Sequence, residues 1–124
     1  MTLIPCGIYI IKNIKNNKVY VGQSQNVYNR RDQHFEALEK GKHPNKKLQK
    51  DYKIYGKSNF TWEFKEYCGM NELNEREHYW IETLNSIWPH GYNIDWKPYK
   101  RKEAKTKTDV KKKGYRYKGY RKRS

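Results

Sequence analysis

Gly7-Ile8-Tyr9-Ile10-Ile11-Lys12-Asn13, then Ile14-Lys15-Asn16-Asn17, then Lys18-Val19-Tyr20-Val21-Gly22-Gln23: this stretch decides the fold. Both arms are rich in β-branched and aromatic side chains, which favour extended backbone. The Asn pair between them tolerates the positive φ angles of a tight turn. The segment reads as a β-hairpin.

Outward from the hairpin the hydrophobic period lengthens from two residues to that of a helix. Residues 26–40 carry Val27, Arg31, His34, Phe35 and Leu38 at helical spacing, with Ser24 or Asn26 to cap the start and Gly41 to end it. A second helix is expected over 45–55, with Leu48, Tyr52 and Tyr55 on one side and Gly56 as its stop. Residues 60–67 alternate: Phe60, Trp62 and Phe64 face one way, Thr61, Glu63 and Lys65 the other, which is a strand with one buried face. A third helix is expected over 72–84, capped by Asn71, with an apolar stripe of Leu73, Trp80, Ile81 and Leu84. Glu77 is four residues after Leu73 and four before Ile81, so it points with that stripe. Residues 91–94 read as a last short extended piece. These elements make an α+β domain.

The chain has 124 residues, one domain's worth, and its four Trp, twelve Tyr and three Phe give it a core to build. No apolar run approaches the roughly 18 residues of a membrane span, and residues 1–6 lack the regions of a signal peptide. The chain reads as soluble and intracellular. Its two cysteines, Cys6 and Cys68, form neither a disulfide framework nor a CxxC zinc pair. The net charge is +15, unevenly spread: residues 1–96 hold 14 basic and 11 acidic side chains, net +3, and residues 97–124 hold 14 and 2, net +12. The domain is therefore expected to span 1–96, followed by a basic tail over 97–124. A segment of this charge density attracts polyanions, nucleic acid first among them. It has no apolar face to lay on a membrane. Within it Lys111, Lys112, Lys113, Tyr115, Arg116, Tyr117, Lys118, Tyr120, Arg121, Lys122 and Arg123 interleave cations with aromatics. Cations of this kind pair phosphates while tyrosines stack on bases; the plainer alternative is a solvated charge run.

Two triplets, Gly7-Ile8-Tyr9 and Tyr20-Val21-Gly22, lie ten residues apart. With Arg30, His34, His43, Glu77 before Trp80-Ile81, and Asn93 in Gly91-Tyr92-Asn93, the pattern over about residues 7–94 resembles the GIY-YIG nuclease superfamily, in particular its phage- and intron-encoded homing endonucleases. The second triplet has Val21 where the motif has Ile, a one-methylene change. The homing enzymes usually carry a long linker and a separate DNA-recognition domain; after Trp96 this chain has 28 residues, half of them basic. The resemblance implies a small three-stranded antiparallel sheet flanked by helices, and an endonuclease acting on DNA with one divalent cation, Mg²⁺ or Mn²⁺; the basic tail leaves RNA as the second candidate partner. It implies catalytic roles for Tyr9, Tyr20, Arg30, His34 and Glu77, with Glu77 holding the metal and Gly22, His43 and Asn93 in support.

The residues make chemical sense of that implication. Phosphodiester hydrolysis needs an activated water, charge on the phosphoryl oxygens and a stabilised leaving group. A carboxylate-held cation and an adjacent Arg supply much of this. A buried carboxylate on an apolar stripe needs a partner, a metal or an Arg. Arg31 competes with Arg30, but Arg30 is one turn before His34 and shares its face. Tyr9 and Tyr20 also read as strand aromatics packed across the hairpin, and a phenol with an ordinary pKa of about 10 needs positive charge nearby to act as a base. His43, in a loop, also reads as surface, as do His78 and His90. Asn93 reads as a backbone-bonding residue near the site, and Gly7 and Gly22 as permitting close packing. The other class of function is a non-catalytic nucleic-acid-binding component that uses the same fold and tail.

Overall fold

A computed structural model of the chain describes residues 4–94. The hairpin forms as β1 (Gly7–Asn13) and β2 (Val19–Ser24), antiparallel, with Tyr9 opposite Gly22. Two asparagine side chains close the turn: Asn13 Oδ1 accepts from the Lys15 N–H at 2.9 Å and Asn16 Oδ1 from the Lys18 N–H at 3.0 Å. Asn17 takes the left-handed conformation at φ 65°, which Asn tolerates better than a branched residue. The third strand, β3 (Phe60–Tyr67), pairs antiparallel with the other side of β1, giving the order β2-β1-β3. The register slips between Ile8 and Tyr9. Gly7 permits the close approach there, since a Cβ at this position would lie 1.9 Å from the Glu66 carbonyl oxygen.

Strand alternation sends β1 side chains into two cores. Ile8 and Ile10 join Val19, Val21, Leu73 and Ile81 on one face. Ile11 joins Leu38, Leu48, Tyr52, Phe60 and Tyr92 on the other. Helix α3 (Leu73–Leu84) covers the first face, and α1 (Val27–Lys40) and α2 (Lys46–Tyr55) the second. Ile8 and Ile11 are fully buried, so truncating either to Ala should cost about 2–5 kcal/mol.

The helices begin and end where their side chains dictate. Asn26 Oδ1 caps α1 through the Asn29 N–H, and Gly41 ends it at φ 72°. Asn45 caps α2 through the Leu48 N–H. Helix α3 starts differently from the sequence expectation. A single 3₁₀ turn, Met70–Glu72, leads into it, and Glu72 rather than Asn71 supplies the side-chain bond, its Oε1 reaching back to the Gly69 N–H at 2.8 Å. After α3 the chain returns past β2, and Ile87 and Asn93 form a single parallel bridge. No helix among the described residues is long and apolar enough to cross a membrane. Cys6 and Cys68 are unpaired thiols, and burial pushes both up, Cys68 to about 12, so neither is a ready nucleophile.

Candidate active site

The two layers meet at the β2 edge of the sheet, where one cavity of about 490 Å³ is lined from both. Tyr9, Tyr20, Gly22, Arg30, His34, His43, Glu77 and Asn93 all line it, together with Gln23 and Asn45. Gly22 makes this convergence possible. A Cβ there would lie 2.3 Å from both Cζ and the hydroxyl oxygen of Tyr9. The missing side chain is thus the space across which the Tyr9 phenol extends from β1 toward the edge of the sheet. Arg30 lines the cavity, whereas Arg31 lies over the rings of Tyr28 and Trp62, 5.3 Å from each centroid, and pairs with Asp32.

On the α1 side, a hydrogen-bonded run leads from a backbone amide to the phenol. The Asn45 N–H donates to His43 Nδ1 at 3.0 Å. His43 Nε2 lies 2.7 Å from His34 Nδ1, and His34 Nε2 lies 2.6 Å from the Tyr9 hydroxyl. The two imidazole centroids are 4.9 Å apart with planes 22° from parallel, a separation that fits an end-to-end N–H···N bond. His34 is lowered to about 3 by burial, His43 and Arg30, and His43 to about 4 by burial. Both rings are therefore neutral at pH 7, with one proton each. The positions of those protons follow. A backbone N–H can only donate, so His43 Nδ1 accepts and Nε2 carries the proton. That proton goes to His34 Nδ1, so His34 in turn carries its proton on Nε2 and donates it to the Tyr9 oxygen. The Gln49 side chain fixes the start of the run, accepting from the His43 N–H at 2.9 Å and donating to the Leu38 carbonyl at 3.1 Å.

Tyr9 is 1% exposed, and its pKa is raised well above the ordinary phenol value, first by burial and then by Tyr20. Arg30 opposes this through its charge and a hydrogen bond, and Glu77 adds to it. The oxygen thus accepts from His34 and is held by Arg30, donors suited to a phenolate, while burial keeps it a phenol in the resting domain. Tyr20 stands edge-on to both imidazoles, 5.5 Å from His34 and 6.3 Å from His43 between centroids.

On the α3 side, Glu77 is 4% exposed among apolar neighbours of its helix. The Gln23 Nε2 amide donates to its Oε1 at 2.9 Å. Asn93 does different work. It accepts from the Val21 N–H at 2.9 Å and the Ser86 hydroxyl at 2.7 Å, and donates to the Val21 carbonyl at 3.0 Å. One side chain thus satisfies both outward backbone groups of β2 at Val21.

The sequence model of the GIY-YIG catalytic domain matches residues 5–93. The chain belongs to the GIY-YIG family. Over 90 residues it is 44% identical to Intron-associated endonuclease 1 of Enterobacteria phage T4, covering 71% of this chain and 36% of that protein, so it spans about a third of the curated relative's length. The solved catalytic domain of homing endonuclease I-TevI matches with a TM-score of 0.67 and 41% identity, over 73% of this chain and 98% of that one. A mutant of that catalytic domain matches with a TM-score of 0.66 and 41% identity, over 73% and 93%.

The donor set of this GIY-YIG domain limits which metal it fits. Among the described residues no three His, Cys, Asp or Glu side chains cluster as a metal cage. A single buried carboxylate at a cavity suits a hard cation such as Mg²⁺ or Mn²⁺, which keeps waters and takes substrate phosphate oxygens, and does not suit structural zinc. Three contributors escaped the sequence reading. Gln23, Asn45 and Gln49 are ordinary polar residues in sequence, and only Gln23, next to Gly22, had a positional signal. His78, read from sequence as surface, is half-buried, and its Nε2 is withdrawn from solvent. The interleaved tail, Lys111 to Arg123, and the boundary at 96/97 lie outside the described residues.

Proposed function

We propose that this GIY-YIG domain is an endonuclease that hydrolyses DNA phosphodiester bonds with one divalent cation, Mg²⁺ or Mn²⁺. The observation that carries this reading is the convergence of Tyr9 from β1, Arg30 and His34 from α1, and Glu77 from α3 on one cavity. Glu77 would hold the cation, which supplies positive charge to the phosphoryl oxygens and eases ionisation of nearby water or phenol. Arg30 offers its planar fork to the same oxygens. Tyr9 takes the proton of the attacking water, with its oxygen held by His34 and Arg30. Burial holds this group as a phenol in the resting domain, so the phenolate forms by loss of its proton to water in the cavity, a loss that a cation held at Glu77 would favour. His34 and His43 stay neutral and orient the phenol, and Tyr20 walls the imidazole pair. One such site cuts one strand. The tail, residues 97–124, adds affinity for nucleic acid through Lys111 to Arg123, mostly independent of sequence.

The test is cleavage of supercoiled plasmid with Mg²⁺, Mn²⁺ or EDTA, comparing the parent with Glu77→Ala and Arg30→Ala. Metal-dependent nicking or linearisation, lost in both variants while DNA affinity stays near the parent's, is the expected outcome. A Glu77→Ala variant that cuts as well as the parent overturns the mechanism. A folded, DNA-binding parent that never cuts moves the reading to a binding module.

A further inference from the structure

Gln23 is adjacent to Gly22 on β2, and strand alternation turns it to the face covered by α3. Its amide nitrogen makes two bonds of 2.9 Å, one to Asn74 Oδ1 and one to Glu77 Oε1. The carboxylate partner fixes the orientation of the amide: an ionised Glu77 can only accept, so Gln23 must present its NH₂ group and not its carbonyl. Both hydrogens are then committed, and both acceptors lie on α3 one turn apart, at Asn74 and Glu77. The side chain ties the edge strand to the helix at the point where the helix delivers its carboxylate.

We propose that Gln23 is a positioning residue for cation binding, one that holds the Glu77 carboxylate in its ligating orientation. This rests on the reading of Glu77 as the metal ligand. Glu77 hangs on a long side chain with three rotatable bonds, and the α3 backbone alone does not aim it. The bond from Gln23 contributes to its aim, and Asn74 holds Gln23 in turn. Gln23 itself offers an N–H to Glu77 and so touches neither metal nor substrate through that group.

The experiment is titration of Mn²⁺ into the 124-residue chain, read by the loss of free-ion EPR signal. It is run on the parent, Gln23→Met, Gln23→Ala and Glu77→Gln, with plasmid cleavage measured across the same Mn²⁺ range and DNA affinity measured in EDTA. Gln23→Met keeps the volume and loses the donors, which guards against a folding artefact. Partners of metal ligands typically contribute about 10–100-fold to affinity. Both Gln23 variants should therefore weaken Mn²⁺ binding by about tenfold or more and raise the half-saturating Mn²⁺ for cleavage equally. Cleavage at saturating Mn²⁺ and metal-free DNA affinity should stay within about threefold of the parent. A residue that only supported the fold would lower melting temperature and saturated rate together. If Glu77→Gln loses Mn²⁺ while both Gln23 variants bind within twofold of the parent, the Gln23 inference is overturned and the metal reading stands. If Glu77→Gln binds Mn²⁺ like the parent, the metal reading itself fails.

Discussion

On the α1 side of the sheet, the cavity wall holds a run of hydrogen bonds with one donor order: Asn45 N–H to His43, His43 to His34, His34 to Tyr9. On the α3 side, the wall is one carboxylate, Glu77, steadied by an amide from the neighbouring strand. In the first wall the two imidazoles are neutral and buried, with the Arg30 cation beside the phenol. The second is a carboxylate at 4% exposure, a group that tolerates burial only with partners. The difference teaches how a small domain divides its labour. Proton placement can be built permanently from buried neutral groups, because neutral hydrogen bonds tolerate burial well. On the proposed reading, the site for a cation is better kept as a steadied but minimal ligand, because a full cage would bind the ion without needing the substrate phosphate.

The largest break in this comparison comes from the end of the run. Tyr9→Phe keeps the ring and removes the oxygen on which His34 and Arg30 converge. Cleavage at saturating Mg²⁺ should fall by about 10²–10⁴-fold, the range of a lost general base. Mn²⁺ binding should stay close to the parent's. The domain should also lose about 1–3 kcal/mol, since the His34 N–H is left without its acceptor. A rate within threefold of the parent would remove Tyr9 from the chemistry.

Gly22→Ala attacks the same oxygen from below. The new Cβ must displace a phenol now 2.3 Å away. A misplacement of about 1 Å costs on the order of 10²-fold in rate, and that is the expected loss. The double variant with Tyr9→Phe should be no slower than Tyr9→Phe alone, because both remove one function. Additive losses would mean that Gly22 serves the site in some other way.

The start of the run should matter less to rate and more to acid stability. His43→Phe leaves the Asn45 N–H and His34 Nδ1 without their partner, and a roughly tenfold slower enzyme is expected, since the phenol keeps His34 as its neighbour. The pH dependence has a definite sign. In the unfolded chain both histidines titrate near 6.5, whereas in the fold they are lowered to about 3 and about 4. Between those limits the unfolded state binds more protons, so stability is complete above about pH 6.5 and falls as pH drops toward 3. Urea midpoints measured from pH 7 to pH 4 should decline in the parent and decline less steeply in His43→Phe. Parallel curves would show that His43 is not buried neutral.

Much of this was readable in the sequence, for identifiable reasons. The hairpin, the three helices and β3 follow from periodicity and from stops at Gly41 and Gly56, because these depend on neighbours in the chain. Glu77 was legible because a carboxylate on the Leu73–Ile81 stripe breaks a pattern. Arg30 over Arg31 followed from the single turn to His34. The His43 contact was not legible, because it depends on the 42–45 loop folding back onto α1. Gln23 looked like any polar residue on an edge strand, and only the position of α3 gives it a carboxylate to hold. Asn71 was misread as a cap because a carboxylate one residue later, Glu72, reaches the Gly69 amide instead.

The smallest effect on rate should come from a residue at the cavity that belongs to neither wall. Asn93 spends both ends of its amide on Val21 and accepts from Ser86 as well. In effect it is a one-residue extension of the sheet, closing an edge that would otherwise present an unpaired N–H and C=O. Asn93→Ala strands those groups and should cost about 1–3 kcal/mol, read as a lower urea midpoint with an unchanged slope. Cleavage below the new melting range should stay within about threefold of the parent, and Mn²⁺ affinity should not move. Asn93→Asp sharpens the point. The aspartate can still accept from the Val21 N–H but cannot donate to its carbonyl, so it should recover only part of the stability. If either variant lost rate as Tyr9→Phe does while staying folded, Asn93 would have to be counted with the reacting groups, and the proposed division between a proton-placing wall and a cation-holding wall would need a third member.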